Sequence, residues 1–276
     1  MPVSRALQEF KSELHISHSQ IFTYLNCSLK YRFMYCEGRP PEHISVALPF
    51  GSAIHLSLER YYRSLKDKGI LAPLNILEEM FEDSLSYDLN DKYIPVLYKK
   101  TMPDKASAIE MGKRLLKTFY ESIDLTGMEI VEVELPLSAT LYTEDAQATE
   151  LKLIGVIDLL LMDEKGQIIA VDHKTAAKPY AQSSVDSALQ LTAYSYLLAS
   201  NKFVFPTADV HCRFDVLRKL KTSKLEHYDT IRTSSHRKRF AKIANACLKG
   251  IESKVFIPNP SWLCSDCQYK TLCQAW

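Results

Sequence analysis

A chain of 276 residues that is 46% hydrophobic and 24% charged is long enough to bury a sizeable core and too apolar for a disordered polymer. Its net charge of +1 excludes capture of a polyanion by overall charge, so any nucleic-acid contact has to come from local basic groups. No apolar run reaches the length of a membrane span, and seven cysteines in so long a chain do not make a disulfide scaffold.

The first 17 residues lack the apolar region of a signal peptide, so a cytoplasmic location without membrane association is expected. Residues 17–35 predict one helix or two short ones. Ser17 and Gln20 fit a capping box, and Ile21, Tyr24, Leu25 and Leu29 supply an apolar face. Cys27 lies within this stretch and Cys36 just beyond it. Residues 50–65 predict a second helix, with Gly51 and His55 one turn apart on one face. Residues 74–89 and 105–123 also carry helical spacing, and they read as a helical insertion able to clamp or cover a groove. Residues 91–104, with Lys92, Lys99 and Lys100, read as a solvated loop.

Residues 129–137 predict a strand that leads into the most informative segment, GVIDLLLMDEKGQIIAVDHKT at 155–175. Residues 156–162 and 167–174 are two apolar strands, and Glu164-Lys165-Gly166 makes a three-residue hairpin loop with Gly166 left-handed. That loop pairs Asp163 with Gln167 and, counting back, Asp158 with Asp172. Residues two apart on a strand share a face, so Asp172 and Lys174 point the same way. Two carboxylates inside apolar strands, beside one lysine, need compensation, and a divalent cation would provide it. A structural ion pair is the plainer reading of an Asp-x-Lys taken alone.

Residues 185–200 predict a helix with Gln190 and Tyr194 on one face. Residues 208–217 and 226–232 read as a strand pair. Residues 234–254 read as a helix capped by Ser234 or Ser235, whose early turns carry Arg237, Lys238 and Arg239 either as a basic patch for a nucleic-acid backbone or as an ordinary solvated face. The tail holds Cys264, Cys267 and Cys273, which points to a metal site. The fourth ligand would be Cys27, Cys36, Cys212 or Cys247; for the last two, ordinary buried thiols are the competing reading.

Taken together, VDHKT, the upstream Asp158, His55, Gln190-Leu-Thr-Ala-Tyr194 and the C-x2-C-x5-C tail resemble the PD-(D/E)XK nucleases of the RecB-like class. They look most like its iron–sulfur branch, which includes the AddB nuclease domain and CRISPR-associated nucleases with a four-cysteine cluster. The resemblance implies an α/β, restriction-endonuclease-like core: a mixed sheet of four or five strands flanked by helices. It implies one nuclease domain over 1–276, with a helical insertion at about 66–128 and a cluster tail at 258–276 joined to the helix near Cys27. By the same resemblance His55, Asp158 and Asp172, with the main-chain carbonyl of His173, would ligate Mg²⁺ or Mn²⁺. Lys174 would position or deprotonate water, and Gln190 and Tyr194 would hold a DNA strand or order the carboxylates. Cys27, Cys264, Cys267 and Cys273 would hold a [4Fe-4S] cluster of structural role, although proline is usual where Ser28 follows Cys27. The implied activity is metal-dependent DNA hydrolysis, as an exonuclease favouring single-stranded ends, in repair, recombination or CRISPR adaptation with protein partners. The alternative is a non-catalytic DNA-binding or partner-activated subunit on the same fold.

Overall fold

The computed structural model describes residues 14–90, 93–143 and 147–276. The chain begins with β1 (His15–Ser17), α1 (His18–Asn26) and α2 (Ser28–Tyr31), which runs on into a π-helical turn, Arg32–Cys36. Then come β2 (Ile44–Ser45), α3 (Ala47–Lys68), α4 (Leu74–Leu89), β3 (Val96–Leu97) and α5 (Lys105–Ser122). The central strands follow as β4 (Met128–Tyr142), β5 (Ala148–Asp163) and β6 (Ile168–Ala176). After them lie α6 (Gln182–Asp186), α7 (Leu189–Ser200), β7 (Val210–Arg218), β8 (Lys224–Arg232) and α8 (Ser234–Glu252). A 3₁₀ turn, Trp262–Asp266, and α9 (Lys270–Gln274) complete the chain.

Strands β4 and β5 form a long antiparallel pair, β6 returns antiparallel to β5, β7 runs parallel to β6, and β8 is antiparallel to β7. A parallel pair needs a crossover, and α6 with α7 supplies it between β6 and β7. The sheet forks on one edge of β5. There β1 pairs parallel with residues 152–154, and β6 pairs with residues 159–162. Residues 155–158 lie in the fork between the two.

Each face of the sheet buries its own apolar layer. One contains Ile21 of α1, Leu191 and Leu197 of α7, and Phe240 and Ala244 of α8. The other contains Phe50, Ile54 and Leu58 of α3, Phe81 of α4, and Leu115 and Phe119 of α5. Every residue from Leu191 to Leu198 is buried, because α7 has the sheet on one side and packs against α1 and α8 as well. A third, small cluster of Leu29, Phe33 and Tyr269 ties the N-terminal helices to the tail. Among the described residues no helix is long and apolar enough to cross a membrane.

The hairpin register agrees with the loop argument. Leu159 pairs with Val171 and Met162 with Ile168, the Asp163 N–H reaches the Gln167 carbonyl at 3.0 Å, and Gly166 has φ +76°. The capping box of Ser17 and Gln20 is present at the start of α1. Cys27, at φ −162° and ψ 103°, breaks the first predicted helix in two. The helix predicted over 185–200 is also broken, at Ser187–Ala188. Strands β4 and β5 run well past the predicted limits, since long antiparallel partners satisfy residues that look like turn from sequence alone. The cap of α8 is Thr233, not Ser234 or Ser235.

In the insertion the Met and aromatic side chains are core: helices α4 and α5 bury Phe81, Met111, Leu115 and Phe119 as the main layer on one sheet face. Their closest approach is at Gly112, where an added Cβ would lie 1.9 Å from Cζ of Phe81. Alanine is normally about 1 kcal/mol better than glycine within a helix. Here Gly112→Ala is expected to lower stability by about 1–3 kcal/mol through overpacking, as chemical denaturation would record. Of the loop at 91–104, Lys92 lies outside the described residues. Lys99 pairs with Asp266 at 2.5 Å and links the loop to the tail.

Candidate active site

The fork in the sheet puts carboxylates where backbone pairing stops. Asp158 is the last residue of the fork, one before the first rung of the β5–β6 ladder. Its Oδ2 accepts the His173 N–H at 2.7 Å and so stands in for the missing ladder carbonyl. Nδ1 of His55, one turn beyond Gly51 on α3, lies 3.3 Å from the same oxygen, and Nδ1 of His173 lies 3.6 Å from it. Burial opposes ionisation of Asp158. His55, the His173 ring, through both a hydrogen bond and its charge, and Lys174 outweigh it and hold the carboxyl well below its usual range.

Asp172 and Lys174 project together from β6 toward α7. Asp172 is 1% exposed. Its Oδ1 accepts from Gln190 Nε2 at 2.5 Å and from Tyr194 Oη at 2.8 Å, and its Oδ2 lies 2.5 Å from Lys174 Nζ. Lys174 also donates to Gln190 Oε1 at 2.9 Å. The Gln190 amide therefore spans the pair, donating a hydrogen bond to the carboxylate and accepting one from the ammonium. Burial raises the Asp172 pKa; Lys174 opposes the rise and Asp158 adds to it. For Lys174 burial acts downward, but Asp172 and Asp158 prevail and hold the ammonium above its usual value. Of the two roles open to Gln190 and Tyr194, their polar atoms are engaged in ordering Asp172.

Sequence reasoning missed Glu134. Its carboxylate, a nitrogen of His55 and a carboxylate oxygen of Asp158 lie within 4.8 Å of one another, an arrangement able to hold a cation. Asp172 is not in that group among the described residues, and Glu134 is a further candidate ligand beside His55, Asp158, Asp172 and the His173 carbonyl. In the ladder Val133 faces Leu159 and Leu135 faces Ile157, which leaves Glu134 across from Asp158. Its φ is +50°, a strained backbone for a residue with a Cβ. In the sequence Glu134 looks like the polar half of an alternating strand, beside Glu129 and Glu132. Its placement depends on the β4–β5 register, which irregularities in the pairing at Ile130/Glu132 and Thr140/Tyr142 shift.

Burial, then the Asp158 and Glu59 carboxylates, push Glu134 up to about 9. Three carboxylates against one lysine leave the site short of positive charge, and a divalent cation fits that deficit. Of these groups Glu134, Asp158, Gln190 and Tyr194 line one cleft of about 580 Å³, together with His18 and Tyr35.

Arg232 fixes the aim of Gln190 and was also not anticipated. It is 1% exposed, and its guanidinium donates to Val185 O at 2.7 Å, Ala188 O at 3.3 Å and Thr192 Oγ1 at 2.9 Å. These acceptors sit at the break between α6 and α7, where no side chain caps the helix that carries Gln190. The only advance signal was an arginine ending an otherwise ordinary strand.

The cysteines also come together. Cys27, Cys264, Cys267 and Cys273 line one cavity of about 160 Å³, beside Phe33 and Tyr269. None is in a disulfide. The Cys273 thiol is raised by burial and then by its neighbours Cys27, Cys267 and Cys264. Cys36 is exposed and outside this cavity, and Cys212 and Cys247 are buried in the layer under α7 and α8.

The basic patch is smaller than the sequence suggested. Arg237 is 5% exposed and donates to Ser195 Oγ at 2.9 Å, Pro206 O at 2.6 Å and Ala208 O at 2.9 Å. It is a buried brace, not a surface contact, because the apolar stripe of α8 faces the core at this turn. Lys238 and Arg239 are exposed, but no residue of α8 lines the carboxylate cleft.

A family model described as the PD-(D/E)XK nuclease superfamily matches residues 15–274. The fold is similar to the crystal structure of a candidate exonuclease from Eubacterium rectale, at TM-score 0.54 and 10% identity, over 98% of this chain and 92% of that one. A likeness to the crystal structure of SSO0001, at TM-score 0.35 and 12% identity over 93% of each chain, is too distant to carry an argument. At 10% identity the first likeness speaks to the fold alone. A search of curated proteins gave no match.

Proposed function

The chain belongs to the PD-(D/E)XK nuclease superfamily, and on that footing we propose that it is a metal-dependent deoxyribonuclease acting on DNA ends. One observation carries the reading: Glu134, Asp158, Gln190 and Tyr194 line one cleft at the sheet fork, where Asp158 lies beside His55 and where Gln190 and Tyr194 hold the buried Asp172–Lys174 pair. An ordinary structural ion pair would need neither the second carboxylate group nor an open cleft.

In this reading His55, Glu134 and Asp158, with Asp172 and the His173 carbonyl, would hold Mg²⁺ or Mn²⁺. Carboxylate oxygens suit these hard ions. Bound there, the cation would polarise the phosphate and lower the pKa of water. Lys174, kept protonated by Asp172 and Asp158, places a fixed ammonium where negative charge grows on the phosphorus oxygens. That favours a stabilising and positioning role for Lys174 over one as base. Gln190 and Tyr194 keep Asp172 and Lys174 in register while the strand binds and leaves.

The protonated state of Glu134 gives a pH signature. Cation binding displaces its proton, so Mn²⁺ affinity is expected to rise with pH up to about 9 and then level off. The raised pKa belongs to the folded state. The stability Glu134 contributes to the metal-free protein is therefore full below its ordinary 4.5 and lost as pH rises toward about 9. In Glu134→Gln both slopes should flatten. Calorimetric Mn²⁺ titrations across this range check the first slope, and melts of the metal-free protein check the second.

We also propose that Cys27, Cys264, Cys267 and Cys273 hold a [4Fe-4S] cluster that fastens the tail to the start of the chain. Four unpaired thiols around one small cavity support this, and the family resemblance supports iron–sulfur over zinc. Comparison of linear with covalently closed single-stranded DNA tests the end preference. Degradation of the linear form alone is expected, and equal loss of the closed circle would make the enzyme an endonuclease.

A further inference from the structure

The carboxylate cleft has a second wall that the proposed chemistry does not use. It is formed by the first turn of α1, where Ser17, His18, Ser19 and Gln20 line the cleft. Ser17 and Gln20 cap one another. His18 makes no side-chain hydrogen bond among the described residues. Its ring packs instead on Phe22, one turn along, with centroids 5.8 Å apart and planes at 37°. Phe22 is 54% exposed, and Leu25 beyond it is 46% exposed. One aromatic ring thus stands inside the cleft, the next on the surface, and an apolar side chain continues the line.

Single exposed apolar residues are ordinary and need no explanation. This row differs in being continuous with the cleft and in its lack of charge. Helix α1, HSQIFTYLN, contains no Asp, Glu, Lys or Arg. Such a wall neither repels a polyanion nor grips phosphates, so what it offers an incoming strand is flat apolar surface. Burial, and Lys174 nearby, lower His18 to about 4, which keeps its ring neutral at pH 7 and suits it to stacking. Base faces are hidden within a duplex and open in a single strand, where stacking on aromatic rings is the common mode of capture.

We propose that His18 and Phe22 form a stacking step that seats the bases of a single-stranded DNA end as it enters the carboxylate cleft. The inference rests on the nuclease reading of that cleft and adds its substrate class. Recognition by stacking predicts little dependence on sequence, because every base has a face to offer.

The test is Phe22→Ala, with Phe22→Tyr as the conservative control, since an exposed ring can be removed without disturbing the core. Binding of a fluorescein-labelled oligothymidylate, and of an abasic strand of the same length, is followed by anisotropy. Phe22→Ala is expected to weaken oligothymidylate binding by about five- to 150-fold, the equivalent of 1–3 kcal/mol for one stacked base. Abasic binding should not change, and Phe22→Tyr should restore the loss. In cleavage assays KM should rise while kcat holds. Equal losses on both strands, or no loss on either, would overturn the proposal. Unchanged strand binding with a shift in oligomeric state would overturn it too, and would assign the patch to a second copy of the chain. Base-dependent binding without any cleavage would count against the nuclease reading alone, whereas cleavage without base dependence would count against the stacking step alone.

Discussion

Lys174→Ala is expected to abolish detectable cleavage, lowering the single-turnover rate by about 10²–10⁴-fold or more. Among the described residues Lys174 is the one cation that contacts Asp172 directly, and its Nζ is held between Asp172 Oδ2 and Gln190 Oε1. Without it, charge developing on phosphate has no fixed ammonium beside it. The fold should survive. Asp172 is already pushed toward its neutral form, and Gln190 and Tyr194 still donate to it. The loss of stability should therefore be modest, even though breaking a buried pair is often costly. Lys174→Arg should not rescue activity, since a planar guanidinium does not reproduce a point charge lodged between two oxygens. Tyr194→Phe removes only one donor to Asp172, and a loss nearer tenfold is expected, equivalent to about 1.4 kcal/mol. Rapid-quench rates beside circular dichroism melts separate catalytic loss from unfolding.

Cys267→Ser is expected to have the largest effect on stability. A cluster joining Cys27 to the tail closes most of the chain into one loop, and the chain-entropy model puts such closure at about 5 kcal/mol. Direct contacts will hold part of the junction without it. Leu29, Phe33 and Tyr269 form a small buried cluster there, and Ser28 Oγ donates to the Ile257 carbonyl at 3.1 Å and accepts its N–H at 2.8 Å. The variant should thus lose iron, visible colour and a large share of its resistance to denaturant, and expose the tail to protease. Cys36→Ser should change none of these, because Cys36 lies outside the cavity. Stoichiometric zinc in a colourless, anaerobically purified protein would contradict the iron–sulfur assignment.

What could be read from the sequence was set by local rules. The hairpin was legible because a three-residue loop with glycine fixes register, and register fixes which side chains share a face. The capping box of Ser17 and Gln20 was legible for the same reason, and so was the spacing of Gln190 and Tyr194. The missed features are those set over long distances. Glu134 meets Asp158 only through the pairing of β4 with β5, whose register shifts at Thr140/Tyr142 in a way that side-chain alternation does not announce. Arg232 reaches the α6–α7 break from a strand more than forty residues away in sequence. Arg237 looked like a surface cation because charge is visible in a sequence and burial is not. The gathering of the four cysteines was half legible. The tail spacing was plain, but spacing alone left the fourth cysteine open, and the choice of Cys27 over Cys36 came from the family resemblance.

The most direct test of the central claim is cleavage of end-labelled single- and double-stranded DNA by the purified wild-type protein. It is run with Mg²⁺, with Mn²⁺ and with EDTA, beside Lys174→Ala. The account predicts products with either metal, faster on the single strand, none with EDTA and none from the variant. An intact, metal-loaded wild-type protein that leaves both strands uncut, or a Lys174→Ala variant that cuts as fast as the wild type, would contradict it.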